Sequence, residues 1–265
     1  MAPAVGIMTF LHNENCGSSL QAWALQETLR EFGYPPLGLD YRPDRFEQMR
    51  NLICSGNSPA VVLDSFRRKR GRGQRNTAGF AQFRREHLTL SEPCKNAAEL
   101  RQASEACGIL LCGSDQIWSP EWLNPVYFLC FRNDKPKIAY AASLGLSGIA
   151  QAQKRRKIRQ MVEPFHSVSV REEEGAAAIR ELLPEKNVEV MPDPVILLQR
   201  EAWLRLAGNP RKESTLVCYF LRDNPAHWQA AEDAGKEMGL RLRVLGVTEH
   251  GRAMSDTVPN PDPVQ

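Results

Sequence analysis

Three short polar clusters in this chain carry residue types and spacings suited to chemistry. The first, Asn15-Cys16-Gly17-Ser18-Ser19-Leu20-Gln21, sets a glycine and two hydroxyls just ahead of a helical pattern. Backbone N–H groups in such a place suit an anion such as a phosphate. The cluster matches neither GxxxxGK[ST] nor GxGxxG, and a plain helix cap with a turn glycine accounts for it as well. The second, Gly113-Ser114-Asp115-Gln116-Ile117-Trp118, follows the apolar run from Ile109 to Cys112. Its glycine lets a ligand approach the backbone, and Ser114, Asp115 and Gln116 suit sugar hydroxyls or the orienting of a nucleophile. The bland alternative is a turn with Trp118 plugged into a core. In the third, Ser169-Val170-Arg171-Glu172-Glu173-Glu174, Arg171 falls where a strand gives way to a helix. An always-charged planar fork there suits carboxylate or phosphate recognition. The glutamates read as acids favouring a helix N-terminus, with Glu174 an available partner for Arg171.

Weaker signals are His12 and His166, for which no spacing supplies a carboxylate partner, and Asp193-Pro194, which reads as a cap or turn. Residues 67–75 carry six positive charges and no acid, and Lys154 to Arg159 is also basic. Neither stretch is interleaved with aromatics, so both read as solvated faces and no nucleic-acid partner is expected. The net charge of +3 implies no polyanion by itself. The seven cysteines are odd in number and lack a CxxC pair, so neither a disulfide framework nor a metal site is supported.

Strands and helices must hold these clusters. Val5 to Phe10 reads as a strand, and Leu20 to Phe32 as a helix with Leu25, Leu29 and Phe32 on one face, Ser18 or Ser19 as N-cap and Gly33 just past its end. Pro36 to Tyr41 resumes an extended pattern, completing a strand, helix, strand unit. Residues 43–90 are less regular and suggest helices around a solvated hinge. Beyond them, helices at Ala97 to Ala106, Lys154 to Val162 and Glu172 to Leu183 alternate with strands at Ile109 to Cys112, Lys137 to Ala142, Ser167 to Val170 and Val188 to Met191. This alternation predicts an α/β fold, a Rossmann-like doubly wound parallel sheet. The pattern restarts with strands at Thr215 to Leu221 and Arg241 to Val247 around a helix at Trp228 to Met238. Residues 1–205 therefore read as one domain and 206–265 as the start of a second.

A last stretch with prolines at 259, 261 and 263 carries no packed element in this reading. A lone unit of about 50 residues buries too little surface to stand alone, so the chain reads as cut short. An apolar share of 42% excludes disorder. No apolar run approaches the roughly 18 to 20 residues of a membrane span, and Met1 to Val5 lacks the marks of a signal peptide, so the expected place is the cytoplasm.

Taken in order, the clusters resemble the polysaccharide pyruvyl transferase family. The resemblance runs through Asn15-x-Gly17-x-x-Leu20-Gln21-Ala22-x-Ala24-Leu25-Gln26, Asp40-Tyr41-Arg42-Pro43, Gly113 to Trp118, Tyr127-Phe128-Leu129, Tyr140 to Gly145 with Ser143, Ser169 to Glu172, and Asp193-Pro194. It implies a GT-B-like pair of Rossmann-like domains and transfer of the enolpyruvyl unit of phosphoenolpyruvate to a glycan or lipid-linked saccharide as a ketal, without metal or organic cofactor. It puts Arg171 at the donor-binding arginine. It further implies substrate contacts from Asn15, Gly17, Ser18, Gln21, Gly113, Ser114, Asp115, Gln116 and Ser143. The chain departs from the family at Cys16, where an aromatic residue is common. It also lacks a Phe-His-Gly-like segment, and His227 and His250 stand in other contexts. That departure leaves open a non-catalytic sugar- or anion-binding module.

Overall fold

The computed structural model describes residues 2–54, 77–132, 134–145, 149, 152–208, 213–220, 222–246, 248–253, 256–259 and 261–264. The chain divides into two compact units, one of residues 1–13, 17–72 and 84–198 and the other of 14–16, 73–83 and 199–265.

In the first unit, β1 (Ala4–Met8), β2 (Pro36–Gly38), β3 (Cys107–Cys112), β4 (Lys137–Ala142), β5 (Ser167–Val170) and β6 (Val188–Val190) form a parallel sheet of order β2-β1-β3-β4-β5-β6. The strands are short and apolar because a parallel sheet is covered on both faces. Between them in the chain run α1 (Cys16–Glu31), α2 (Arg45–Cys54), α3 (Thr77–His87), whose residues up to Phe83 count with the second unit, α4 (Ala97–Ala103), α5 (Ala152–Val162) and α6 (Glu173–Leu182). The α/β, Rossmann-like reading of the sequence is thus the observed architecture. Trp118, fully buried, stacks on Phe128 at 4.9 Å between ring centroids and meets Phe165 edge-on at 5.6 Å. The second cluster is thereby anchored in the core at one end while its polar residues lie at the sheet edge.

Several local expectations need correction. α1 begins at Cys16, four residues before the expected Leu20, so Ser18 and Ser19 lie inside the helix rather than capping it. Both are buried, and Ser18 finds its partner across the sheet edge instead of at the helix end. Gly33 closes the helix as expected, at φ +80°, with its N–H donating to Arg30 O. Phe32, expected on the buried face, is 73% exposed: α1 ends at Glu31, and the closing turn carries Phe32 off that face. Within the basic stretch of α5, Lys154 is buried rather than solvated and donates to Pro120 O at 2.5 Å. The basic run at 67–75 lies outside the described residues.

In the second unit, β7 (Thr215–Cys218), β8 (Arg241–Gly246) and β9 (Thr257–Pro259) form a parallel three-stranded sheet with α7 (Arg200–Leu206), α8 (Pro225–Met238) and α9 (Glu249–Ala253). A core of Cys218, Trp228, Ala231 and Val244 holds it. The final stretch is therefore not without structure, contrary to expectation: Thr257 to Pro259 pair with Val244 to Gly246. The proline stands at the last position of an edge strand, where a missing N–H is tolerated. Among the described residues, no helix is long and apolar enough to cross a membrane.

Candidate functional site

In the six-stranded sheet the chain leaves β1 toward β2 on one side, and β3 lies on the other. Such a reversal opens a crevice beyond the carboxyl ends of the two strands, the usual ligand position in open α/β sheets. All three clusters reach this edge.

A ring of hydrogen bonds joins them. Ser18 Oγ donates to Asp115 Oδ2 at 2.5 Å, across the reversal between β1 and β3. Gln21 Nε2 donates to Ser18 O at 2.9 Å and to Thr9 Oγ1 at 3.0 Å, and Thr9 Oγ1 donates to Ser114 O at 3.0 Å. Ser114 Oγ lies 3.1 Å from Asp193 Oδ2, which also accepts from Arg171 Nη1 at 3.0 Å. Arg171 Nε donates to Glu172 Oε1 at 3.0 Å, and Ser143 Oγ donates to the same oxygen at 2.7 Å. Ser143 N donates back to Asp115 O at 2.9 Å, which closes the circuit. A net contribution of about 0.5–1.5 kcal/mol per bond makes such a ring a substantial brace for the edge.

Local sequence explains the turn after β3. Gly113 adopts φ +116°, and a Cβ there would lie 1.9 Å from Tyr140 O, so only glycine fits against β4. Asp115 follows at φ +74°, a left-handed backbone that a short polar side chain tolerates, and its Oδ1 accepts from Gln116 N at 2.7 Å. Gln116 is half-buried with its side-chain amide unbonded among the described residues. Of the remaining sequence candidates, Gly17 is exposed in the first turn of α1, and Asn15 is exposed one residue before it; neither belongs to the ring.

Arg171 is the hub of the charged side. Its side chain is 28% exposed, and Nη2 makes no hydrogen bond among the described residues. Burial by itself would lower its pKa, but bonds to Glu172 and Asp193 outweigh burial and raise it further. Its partners are Glu172 and Asp193, and not Glu174, the partner that the sequence left available. α6 begins at Glu173, so Glu172 is the flanking residue and turns back beside Arg171. Asp193 also caps the turn that follows it, through Val195 N at 3.2 Å. Burial, and then the Asp193 charge, push the Tyr140 phenol up; its hydroxyl donates to Pro192 O.

Two buried acceptors are left over: Gln21 Oε1 and Glu172 Oε2 have no partner among the described residues. An orphaned buried acceptor costs about 1–3 kcal/mol, and such costs persist where a ligand or an ordered water relieves them. The edge thus offers one unspent guanidinium nitrogen amid hydroxyl and carboxylate oxygens, a set suited to a small anion next to a hydroxyl-rich molecule. Among the described residues no cluster suited to a metal ion occurs.

Sequence reasoning missed Thr9, assigned Glu172 only a helix-end role, and left Asp193 as a cap or turn. The cap at Asp193 was legible. Its second role depends on β6 lying beside β5, which spacing along the chain does not reveal.

With this geometry in view, comparison with known proteins is informative. The family described as polysaccharide pyruvyl transferase matches residues 15–232, from just before α1 into α8. Neither the curated proteins nor the solved structures contain a match. The family match spans most of the chain, and the chain belongs to the polysaccharide pyruvyl transferase family.

Proposed function

We propose that this family member transfers the pyruvyl unit of phosphoenolpyruvate to a pair of hydroxyls on a glycan or lipid-linked saccharide, forming a cyclic ketal and releasing phosphate. The observation that carries the reading is the closed ring linking Ser18, Gln21, Ser114, Asp115, Ser143 and Arg171 at one sheet edge.

In this reading Arg171 binds the donor's carboxylate or phosphate through Nη2, while Glu172 and Asp193 hold the guanidinium plane still. A held fork gains more per bond than a mobile one, because its rotamer freedom is already spent. The two carboxylates also limit how strongly Arg171 attracts an anion, so it orients the donor more than it tightens binding. Protonation of the donor's methylene carbon leaves C2 electrophilic. One glycan hydroxyl attacks C2 and loses its proton, the C2–O bond to phosphate breaks, and the second hydroxyl closes the ketal with loss of its own proton. Asn15, Ser18, Gln21, Ser114, Asp115, Gln116 and Ser143 supply hydrogen-bond partners for substrate oxygens, Gly17 leaves the backbone at the start of α1 approachable, and Gly113 lets the turn that carries Ser114 and Asp115 close against β4. No organic cofactor or metal is invoked, nor a nucleic-acid partner. We place the reaction in the cytoplasm, where phosphoenolpyruvate is made.

Incubation with phosphoenolpyruvate and a panel of diol-bearing glycans tests the reading. Glycan-dependent phosphate release that Arg171→Ala abolishes is the expected result, and no release across the panel overturns it. A binding-only module is the second reading, favoured by the lack of histidine in the ring. It predicts glycan binding without phosphate release.

A further inference from the structure

The carboxyl edge of the large sheet has two chemically different halves. From β3 to β6 it is charged. From β2 to β3 it is aromatic: Tyr41 follows β2, Phe10 follows β1, and Tyr127 sits in the short turn Pro125–Phe128. The Tyr127 ring meets Phe10 edge-on at 4.9 Å and Tyr41 edge-on at 6.2 Å. Phe10 and Tyr127 are half-buried and pack against the core.

The hydroxyls of the two tyrosines differ. Tyr41 Oη accepts from Asn51 Nδ2 at 2.8 Å. Tyr127 Oη has no hydrogen-bond partner among the described residues, although the backbone that carries it is tied on both sides, with Tyr127 N donating to Asn124 O and Trp118 Nε1 donating to Tyr127 O at 3.2 Å. Burial, the Tyr41 phenol and the Asp115 carboxylate together keep the Tyr127 phenol protonated far above neutral pH, so it remains a donor. An edge-on aromatic pair with an unspent O–H matches a sugar ring, which has an apolar C–H face and hydroxyls at its rim.

We propose that Phe10 and Tyr127 form a subsite for one saccharide ring of the acceptor, whose apolar face rests on the aromatic pair while Tyr127 Oη donates to a ring or hydroxyl oxygen. The assignment rests on the proposed transferase function for the identity of the ligand as acceptor, but its binding chemistry is independent of the donor.

The test uses saturation-transfer NMR on the full chain with methyl β-D-galactopyranoside, methyl β-D-glucopyranoside and methyl α-D-mannopyranoside as probes. A parallel titration with phosphoenolpyruvate reports the donor half. At least one glycoside is expected to bind the wild type. Tyr127→Phe, which keeps the ring, should weaken it about threefold to tenfold, the loss of one hydrogen bond. Phe10→Ala should weaken it by at least that factor while phosphoenolpyruvate affinity stays within about twofold, since the aromatic contact is lost and the charged half is untouched. In turnover, Tyr127→Phe should raise the acceptor KM and leave kcat nearly unchanged. Absence of glycoside binding to the folded wild type, or equal binding by Tyr127→Phe, overturns the subsite. Glycoside binding that depends on Tyr127 without donor binding would instead retain the subsite and sink the transferase reading.

Discussion

Two arginines follow strands of the same sheet, each beside an aspartate, and they behave differently. Arg42, past β2, closes a local pair: its Nε and Nη2 lie 3.0 and 2.6 Å from the two oxygens of Asp40, two residues away. Asp40 is almost fully buried, and the backbone on both sides is tied to the segment after Leu90 through Arg42 N to Cys94 O and Cys94 N to Asp40 O. Arg171, past β5, divides itself between carboxylates 1 and 22 residues away, each shared in turn with a serine from another strand. One pair clamps two loops; the other gathers four strand ends and keeps a nitrogen in reserve. Membership in a motif does not separate these roles, and connectivity does.

The comparison can be broken at the floor of the hub. Gly113→Ala forces a Cβ onto Tyr140 O and a side chain into φ +116°. A loss of about 3 kcal/mol or more is expected, read as a large fall in Tm or loss of folded protein. Arg171→Ala is next in size. It should lower kcat/KM by roughly a hundredfold or more, the scale for removing a charged group from a reacting center, with a smaller stability loss than at Arg42, because the carboxylates it leaves unpaired, Glu172 and Asp193, keep partial contact with solvent. Arg42→Ala should give the reverse pattern: a stability loss of about 1–2 kcal/mol from the carboxylate left in the interior, with activity per folded molecule within about twofold. If Arg42→Ala instead abolished activity at unchanged Tm, the distinction between clamp and hub would fail.

Smaller effects sharpen it. Asp193→Asn retains an oxygen for Ser114 and Arg171 and removes one negative charge. It should reduce kcat by about tenfold through a looser guanidinium, with an unchanged or lower donor KM because the site repels an anion less. Within the clamp, burial first, followed by the Glu47 charge, pushes the Tyr41 phenol up to about 12, against the opposing bonds from Asn124 and Asn51. The folded protein therefore favors the protonated phenol. The stability this confers is complete below the unfolded value near 10 and is lost as pH rises through about 12. An ultraviolet titration of the folded chain should show Tyr41 ionizing late, and Tyr41→Phe should flatten stability across that interval.

Much of the architecture was legible in the sequence. The strands at Lys137–Ala142 and Ser167–Val170 appear at the expected residues, because short apolar runs between amphipathic helices have few other ways to be buried. Boundaries failed where a distant partner competed with a local one. Ser18 was expected to cap α1, but its hydroxyl bonds to Asp115, 97 residues away. Glu174 stood as an available partner for Arg171, but the helix start left that place to Glu172.

Composition and periodicity alone determined that this is an α/β protein with its polar groups at strand ends, and the order of its motifs carried the family resemblance that the match over residues 15–232 bears out. These properties follow from nearest-neighbor patterning, which the chain carries everywhere. Which polar groups meet was decided only by strand order, since the ring from Ser18 through Asp193 joins residues far apart in sequence that a parallel sheet sets side by side. The same order decided that Arg42 is consumed locally while Arg171 retains a free nitrogen at the edge.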